Sequence, residues 1–134
     1  MAKVFFGFAL ADSMFAVNNC NIERRVLPIE VVATKVAQGV ISCCNPSHVA
    51  TIGAMRTRFG LDVAIPDVPP RVELRAGDAV IVMGVRGLPR LTDRHEYTES
   101  EVAQATFVFS EYKVSQERIL PRGFATNLTH VEGG

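Results

Sequence analysis

The stretch Arg71-Val-Glu-Leu-Arg-Ala-Gly-Asp-Ala-Val-Ile-Val-Met-Gly-Val85 decides the fold that we expect for this chain of 134 residues. Residues 71–75 alternate apolar and charged side chains, residues 76–78 are typical of a tight turn, and residues 79–85 are almost entirely apolar. This order predicts two strands that pair as an antiparallel hairpin. The hairpin would supply two neighbouring strands of a β-sheet.

Further strands are predicted on both sides of the hairpin. Residues 3–9 are rich in aromatic and β-branched side chains, which indicates a buried strand, and a loop with turn-forming asparagines follows at residues 12–21. Residues 25–29 can form a second short strand. Residues 106–114 alternate aromatic and polar side chains, and we expect them to close the sheet.

Two longer helices are predicted from spacing and end signals. Residues 29–38 and 46–59 each precede a glycine that can end a helix. Asn45 is a good N-cap residue, and Pro46 suits the first helical position, where its missing N–H is not needed. Residues 40–44 form a short apolar link, and Thr98 and Glu101 have the spacing of a capping box for a helical turn.

These elements predict an α/β (α+β) fold: a small mixed, partly antiparallel β-sheet with helices packed on it. Residues 1–114 would form a single domain, because chains of this size seldom divide into two cores. Residues 115–134 are polar and end in two glycines, so we expect a C-terminal extension that is mobile in part.

Composition and charge restrict the class of protein. Hydrophobic residues make up 48% of the chain, which excludes general disorder, and 14 basic residues balance 14 acidic ones. A chain of zero net charge has no broad positive field, so binding to duplex nucleic acid or to an acidic membrane surface is not expected. No apolar run is long enough to span a membrane.

Cysteine and arginine content point to location and ligand type. The three cysteines form no CxxC pair, so we expect a reducing, cytoplasmic location and no zinc site. Eleven of the 14 basic residues are arginines, whose planar guanidinium groups pair with phosphate. GC-rich coding is an alternative explanation of the same bias.

His48 is the most informative histidine. If Asn45 is the N-cap, His48 lies in the first helical turn beside free backbone N–H groups, with Thr51 on the same face, and the three together could bind a phosphate. The alternative is a structural or surface histidine. Cys43 and Cys44 lie just before this segment, and their apolar context favours buried thiols over a nucleophile.

Arginines cluster around the end of the predicted hairpin. Arg71 opens it, and Arg86 and Arg90 lie in the glycine- and proline-containing segment after it, where they could clamp phosphates of a small ligand. Asp93 is spaced to orient one of these guanidinium groups. The alternative is a solvated, arginine-rich loop. P-loop and dinucleotide-binding glycine motifs are absent from the sequence.

Three of these motifs, in this order, resemble a known family: the small viral ring nucleases that act as anti-CRISPR proteins against type III systems. The resemblance covers about residues 3–114. The motifs read Ser47-His48-Val49-Ala50-Thr51, then Arg71-Val72-Glu73-Leu74-Arg75-Ala76-Gly77-Asp78, then Arg90-Leu91-Thr92-Asp93.

The resemblance implies a two-fold homodimer that binds cyclic tetra-adenylate, a defence signal, in a pocket at the dimer interface. Cleavage in this family needs no metal or other cofactor. A ribose 2′-hydroxyl attacks the adjacent phosphorus and a histidine protonates the departing 5′ oxygen, which leaves linear products with 2′,3′-cyclic phosphate ends. If the chain is virus-encoded, the implied location is the host cytoplasm.

Residue roles follow from the matched motifs. The resemblance implies that His48 is the general acid and that Arg90 stabilises the charge on phosphorus, with Asp93 supporting this arginine. Arg71 and Ser47 would contact the ligand, and Thr51 would steady the phosphate or the imidazole.

The chain departs from the family pattern at ligand-side positions. Phe8, Ala11 and Met83 stand where the family has asparagine, serine and glutamine, and Arg86 competes with Arg90 for the catalytic position. The losses indicate either a changed ligand, such as another cyclic oligonucleotide, or a second hypothesis, a protein that sequesters a cyclic nucleotide without efficient cleavage. A third, a dimeric scaffold that binds nucleic acid, rests on arginine content and is disfavoured by the neutral charge.

Overall fold

The computed structural model describes residues 2–86 and 98–116. Within them the chain forms a mixed α+β fold, which confirms the predicted fold class. In chain order the elements are β1 (Val4–Gly7), a 3-10 helix (Asp12–Met14), β2 (Cys20–Leu27), α1 (Ile29–Gln38), β3 (Ile41–Ser42), α2 (Val49–Thr57), β4 (Ala79–Arg86), α3 (Glu99–Gln104) and β5 (Thr106–Gln116).

The five strands form one mixed sheet in the order β2-β5-β4-β1-β3. β1 pairs in parallel with both β3 and β4, and β5 pairs antiparallel with both β2 and β4. β5 therefore lies inside the sheet, between β2 and β4. β5 also continues to Gln116, two residues past its predicted end at Val114.

Alternate residues of the strands point to two separate cores. Phe6 and Ile81 pack with Val32 of α1 and Met55 of α2 on the face that the helices cover. Their neighbours along the strands point the other way, as the two-residue period of a strand requires. On that second face Phe5, Val72, Leu74, Val80 and Val114 form a smaller core.

The predicted hairpin is wrong. Residues 71–75 form no strand, and Leu74 makes a single bridge with Phe15 through hydrogen bonds of 2.7 and 3.0 Å to the backbone of Met14 and Ala16. The alternation that suggested a strand has another cause, because Val72 and Leu74 bury their side chains in the second core. The turn at residues 76–78 is confirmed, with Gly77 at a φ of 96°.

Two further segments differ from their predicted structure because of strand pairing. The predicted strand at residues 25–29 is β2, which begins at Cys20, inside the predicted loop, and ends at Leu27. Eight residue pairs with β5 override the turn preference of Asn21. The link at residues 40–44 contains β3, whose two residues pair with β1.

Two helix predictions are confirmed in detail. α1 spans residues 29–38 and ends at Gly39, which has a φ of 110°. At the start of α3 the Thr98 backbone N–H donates to the Glu101 carboxylate at 2.8 Å, and the Glu101 N–H donates to the Thr98 hydroxyl at 3.2 Å. These two bonds form the predicted capping box. In the described part of the chain, no helix is long and apolar enough to cross a membrane.

Candidate functional site

The site lies where two parallel strands end. β1 and β3 run side by side, with Phe5 opposite Ile41 and Phe6 opposite Ser42, so the chain leaves both strands at the same edge of the sheet. The Cys43 N–H donates to the Phe6 carbonyl at 2.8 Å and extends the pairing by one bond. Crevices at the carboxyl ends of parallel strands are common ligand sites, because diverging connections leave room there.

A pocket of about 310 Å³ opens at this edge. Its walls come from the chain after β1, the 3-10 helix, the segment between β3 and α2, and the segment before the turn at residues 76–78. The residues that line it are Phe8, Ala9, Ser13, Met14, Cys43, Asn45, His48, Pro70, Arg71 and Val72. His48 and Arg71, both predicted as site residues, thus share one pocket.

His48 is the N-cap of α2, so its predicted place within the helix is wrong. The helix was expected from Pro46, but it spans Val49–Thr57, and the Ile52 N–H donates to the His48 carbonyl at 2.9 Å. Asn45 caps a turn instead of the helix, because its side-chain oxygen accepts the Ser47 N–H at 2.9 Å. The imidazole is exposed and makes no capping hydrogen bond.

The end of α2 agrees better with its prediction. The predicted helix was to end near Phe59, and the last helical residue is Thr57. Gly60 has a φ of 66°, and its N–H donates to the Arg56 carbonyl at 3.1 Å. A glycine stop of this kind satisfies a carbonyl at the helix end.

Arg71 gives the pocket a positive charge. Among the described residues that line the pocket, Arg71 is the only arginine or lysine, and none is an aspartate or glutamate. The Arg71 side chain is exposed and has no ion pair within residues 2–86 and 98–116. An anion in the pocket would therefore meet an unneutralised guanidinium and an imidazole among the same lining residues.

Phe8 contacts His48 directly. The two ring centroids lie 5.7 Å apart, and the ring planes are tilted by 53°. Phe8 is half-buried, because it also packs against the core that the helices cover. Phe8 therefore lines the pocket with an apolar ring.

Two adjacent cysteines follow β3, and the first of them, Cys43, lines the pocket. The Cys43 thiol donates to the Phe6 carbonyl at 3.2 Å, and Cys44 is fully buried. Burial, and then the neighbouring Cys44, raises the pKa of Cys43. Burial also raises the pKa of Cys44, against the opposing effects of a hydrogen bond with Ser42 and the charge of Arg56. Both shifts disfavour a thiolate nucleophile.

The other predicted ligand-side residues do not line this pocket. Ser47 and Thr51 flank the start of α2, and Ala11 is exposed at the start of the 3-10 helix. Arg86 is the exposed last residue of β4. Arg90 and Asp93 lie outside the described residues, so their roles stay predictions.

Met83 is not a ligand-side residue. Its side chain is only 1% exposed and packs in the core beneath the helices. This burial contradicts the prediction that Met83 faces the ligand, because Met83, like Ile81 two residues before it, packs in the core that α1 and α2 cover.

Two polar residues of the pocket were missed by the sequence reasoning. Asn45 was taken as an N-cap, and Ser13 lay in a segment read as a loop. The parallel pairing of β1 with β3 brings both segments together, and this pairing has no local signal in the sequence.

Comparison with known proteins identifies a similar fold. No protein-family model matches the chain, and neither does any curated protein. Among solved structures, B116 of Sulfolobus turreted icosahedral virus (STIV) matches with a TM-score of 0.60 and 20% sequence identity. The match covers 84% of this chain and 99% of that chain. The chain therefore shares its fold with a viral protein.

Proposed function

We propose that the protein is a metal-independent ring nuclease that cleaves cyclic tetra-adenylate. The observation that carries the proposal is the shared pocket of His48 and Arg71, which combines a proton donor with an unneutralised cation and has no acidic residue among its described lining residues. These groups suit a phosphodiester, because its charge needs a cation and its leaving oxygen needs a proton.

In the proposed reaction a ribose 2′-hydroxyl attacks the adjacent phosphorus. The 2′-hydroxyl gives up its proton to solvent water as its oxygen bonds to phosphorus. The phosphorus–oxygen bond to the 5′ oxygen breaks, and His48 donates a proton to that oxygen. The products are linear and carry a 2′,3′-cyclic phosphate. Among the described residues that line the pocket, Arg71 is the one that can offset the charge on the phosphate. The roles that we predict for Arg90 and Asp93 would add to this stabilisation.

The size of the pocket supports a site shared by two copies of the chain. At about 310 Å³ it lies near the lower end of the volumes typical of ligand pockets, which fits part of a cyclic tetranucleotide better than the whole ring. A two-fold homodimer would present two such pockets to a ligand built of repeated units. The proposal therefore includes a homodimer with the ligand between its subunits.

The fold shared with B116 supports a role in a virus. Removal of a cyclic oligoadenylate in the host cytoplasm would counteract type III CRISPR immunity. This biological role rests on the motif resemblance together with the fold.

The direct test is to incubate the protein with cyclic tetra-adenylate in EDTA and to separate the products by chromatography. We expect linear products with 2′,3′-cyclic phosphate ends, and at least a hundredfold lower rate for His48→Ala, in line with the contribution of a general acid, about 10²–10⁴. Thr57→Ala is the matched control, because Thr57 is an exposed residue of the same helix α2 and lies outside the pocket lining. Intact ligand with the wild type, or full activity in His48→Ala, would refute the proposal.

A second candidate function is a protein that sequesters the ligand without turnover. Phe8 favours it, because an apolar ring lines the pocket where the family has an asparagine that contacts the ligand. Calorimetry would then give tight, stoichiometric binding, and the ligand would be recovered intact. Turnover by the wild type at more than one ring per dimer would exclude this alternative.

A further inference from the structure

Few contacts other than one aromatic ring restrict the His48 imidazole. Within residues 2–86 and 98–116 its nitrogens form no hydrogen bond or ion pair, and its aromatic contact is with Phe8, at 5.7 Å between ring centroids. An exposed side chain with two rotatable bonds samples several rotamers unless a neighbour restricts it. A general acid needs one of these rotamers, because proton transfer requires hydrogen-bond distance to the leaving oxygen.

Phe8 is itself fixed by the core. It directly follows β1, whose last residue Gly7 pairs with Val82 of β4. Its ring packs against the core formed by residues such as Phe6, Val32 and Met55. Phe8 therefore packs against the core with one part of its side chain and lines the pocket beside His48 with another.

We propose that Phe8 is a positioning residue that restricts the His48 imidazole to the rotamer needed for proton donation. The proposal rests on the proposed function, in which His48 is the general acid. Phe8 does not touch reacting atoms in this role, because it acts through the ring that it contacts. The replacement of a polar family residue by phenylalanine thus exchanges a ligand contact for a contact that orders the catalytic side chain.

The role predicts a specific kinetic signature. Loss of the ring should lower kcat by about 10–100-fold, because a displacement of about 1 Å in a catalytic group has an effect of this size. KM should change by less than about threefold, because the cation that would hold the ligand, Arg71, is untouched. A residue that mainly binds the ligand would instead raise KM.

Phe8→Leu is the test variant, and Phe8→Tyr, which keeps the ring, is the conservative rescue. Phe107→Leu is the matched control, because Phe107 is also a partly buried phenylalanine packed against the same core and it does not line the pocket. We expect Phe8→Leu to lose kcat, and we expect Phe8→Tyr and Phe107→Leu to keep it within about threefold of the wild type.

A measurement on the free protein separates this proposal from the proposed function. Side-chain ¹³C relaxation of the His48 ring should report restricted motion in the wild type and in Phe8→Tyr, and faster motion in Phe8→Leu. If the wild type cleaves nothing, the relaxation data still decide whether Phe8 orders His48. An imidazole that is equally ordered in the wild type and in Phe8→Leu would overturn the proposal, as would a kcat unchanged by Phe8→Leu.

Discussion

The Asp78 carboxylate ties the start of β1 to the start of β4. One oxygen accepts the backbone N–H of Lys3 at 2.9 Å, and the other accepts the backbone N–H of Arg75 at 3.0 Å. The side chain is buried, with 5% exposure, and the Ala79 N–H donates to the Lys3 carbonyl at 2.9 Å beside it. These bonds hold the start of β4 beside β1, in the parallel pairing that the structure has in place of the predicted antiparallel hairpin.

Asp78→Ala should lower the free energy of unfolding by about 2–4 kcal/mol, because it leaves two backbone N–H groups without their charged acceptor. Asp78→Asn keeps one acceptor and should lower it by less. Urea unfolding followed by circular dichroism measures both changes. Asp62→Asn, at an exposed position, is the control and should stay within about 0.5 kcal/mol of the wild type. Equal stability of Asp78→Ala and the control would contradict this account.

Gly7→Ala should destabilise the protein through Cys43. A Cβ at position 7 would lie 2.7 Å from the Cys43 sulfur, so the thiol would have to leave its place against β1. We expect a loss of about 1–3 kcal/mol, which is typical of overpacking. Cys43→Ala should relieve most of this loss in the double variant, and a double-mutant cycle measures the coupling. Additive effects of the two substitutions would show that the two sites do not clash.

Stability should fall in alkaline solution because of the two thiols. The folded state raises the pKa of Cys43 and of Cys44 above the ordinary value of 9.0, so folding favours the neutral thiols. That stabilisation is fully present below the unfolded pKa and is lost as pH rises through the folded pKa values. Urea unfolding from pH 8 upward, past the value of 9.0, should therefore show a steeper decline for the wild type than for the double variant Cys43→Ala, Cys44→Ala. Parallel declines would argue against buried neutral thiols.

Arg71→Gln should weaken binding of cyclic tetra-adenylate without unfolding the protein. The guanidinium lines the pocket and is exposed, so its loss removes a charge-assisted contact to phosphate but no core packing. We expect Kd to rise by about 10–100-fold, which corresponds to about 1.5–3 kcal/mol. Calorimetry in the His48→Ala background keeps the ligand intact during the measurement. Arg25→Gln, on β2 and paired with Glu23, is the control and should leave Kd unchanged.

Sequence patterns correctly predicted the elements whose ends are set by residues close by in the chain. Thr98 and Glu101 form the capping box within one helical turn, and Gly39 ends α1 through its own backbone conformation. The prediction that Asn45 caps α2 was wrong because an asparagine side chain can cap a turn as well as a helix. The Asn45 side chain accepts the Ser47 N–H in a turn, and α2 begins only at Val49, with His48 as the N-cap.

The candidate site was predicted in part. His48 and Arg71 carry side chains whose chemistry stands out in the sequence, and the structure brings both into one pocket. Asn45 and Ser13 join them only because β1 and β3 pair in parallel. Met83 was misplaced because a run of apolar residues does not reveal which face of the sheet each side chain points to.

The sequence by itself determined the fold class, the helix α1, the turn at Gly77 and the chemistry of the candidate site. These follow from backbone preferences and side-chain groups that act over a few residues. Only the tertiary structure decided that β4 lies between β1 and β5, and that Val72 and Leu74 face a second core instead of forming a strand. Contacts of this kind join residues far apart in the chain, and their free energy depends on burial against partners that no local pattern specifies.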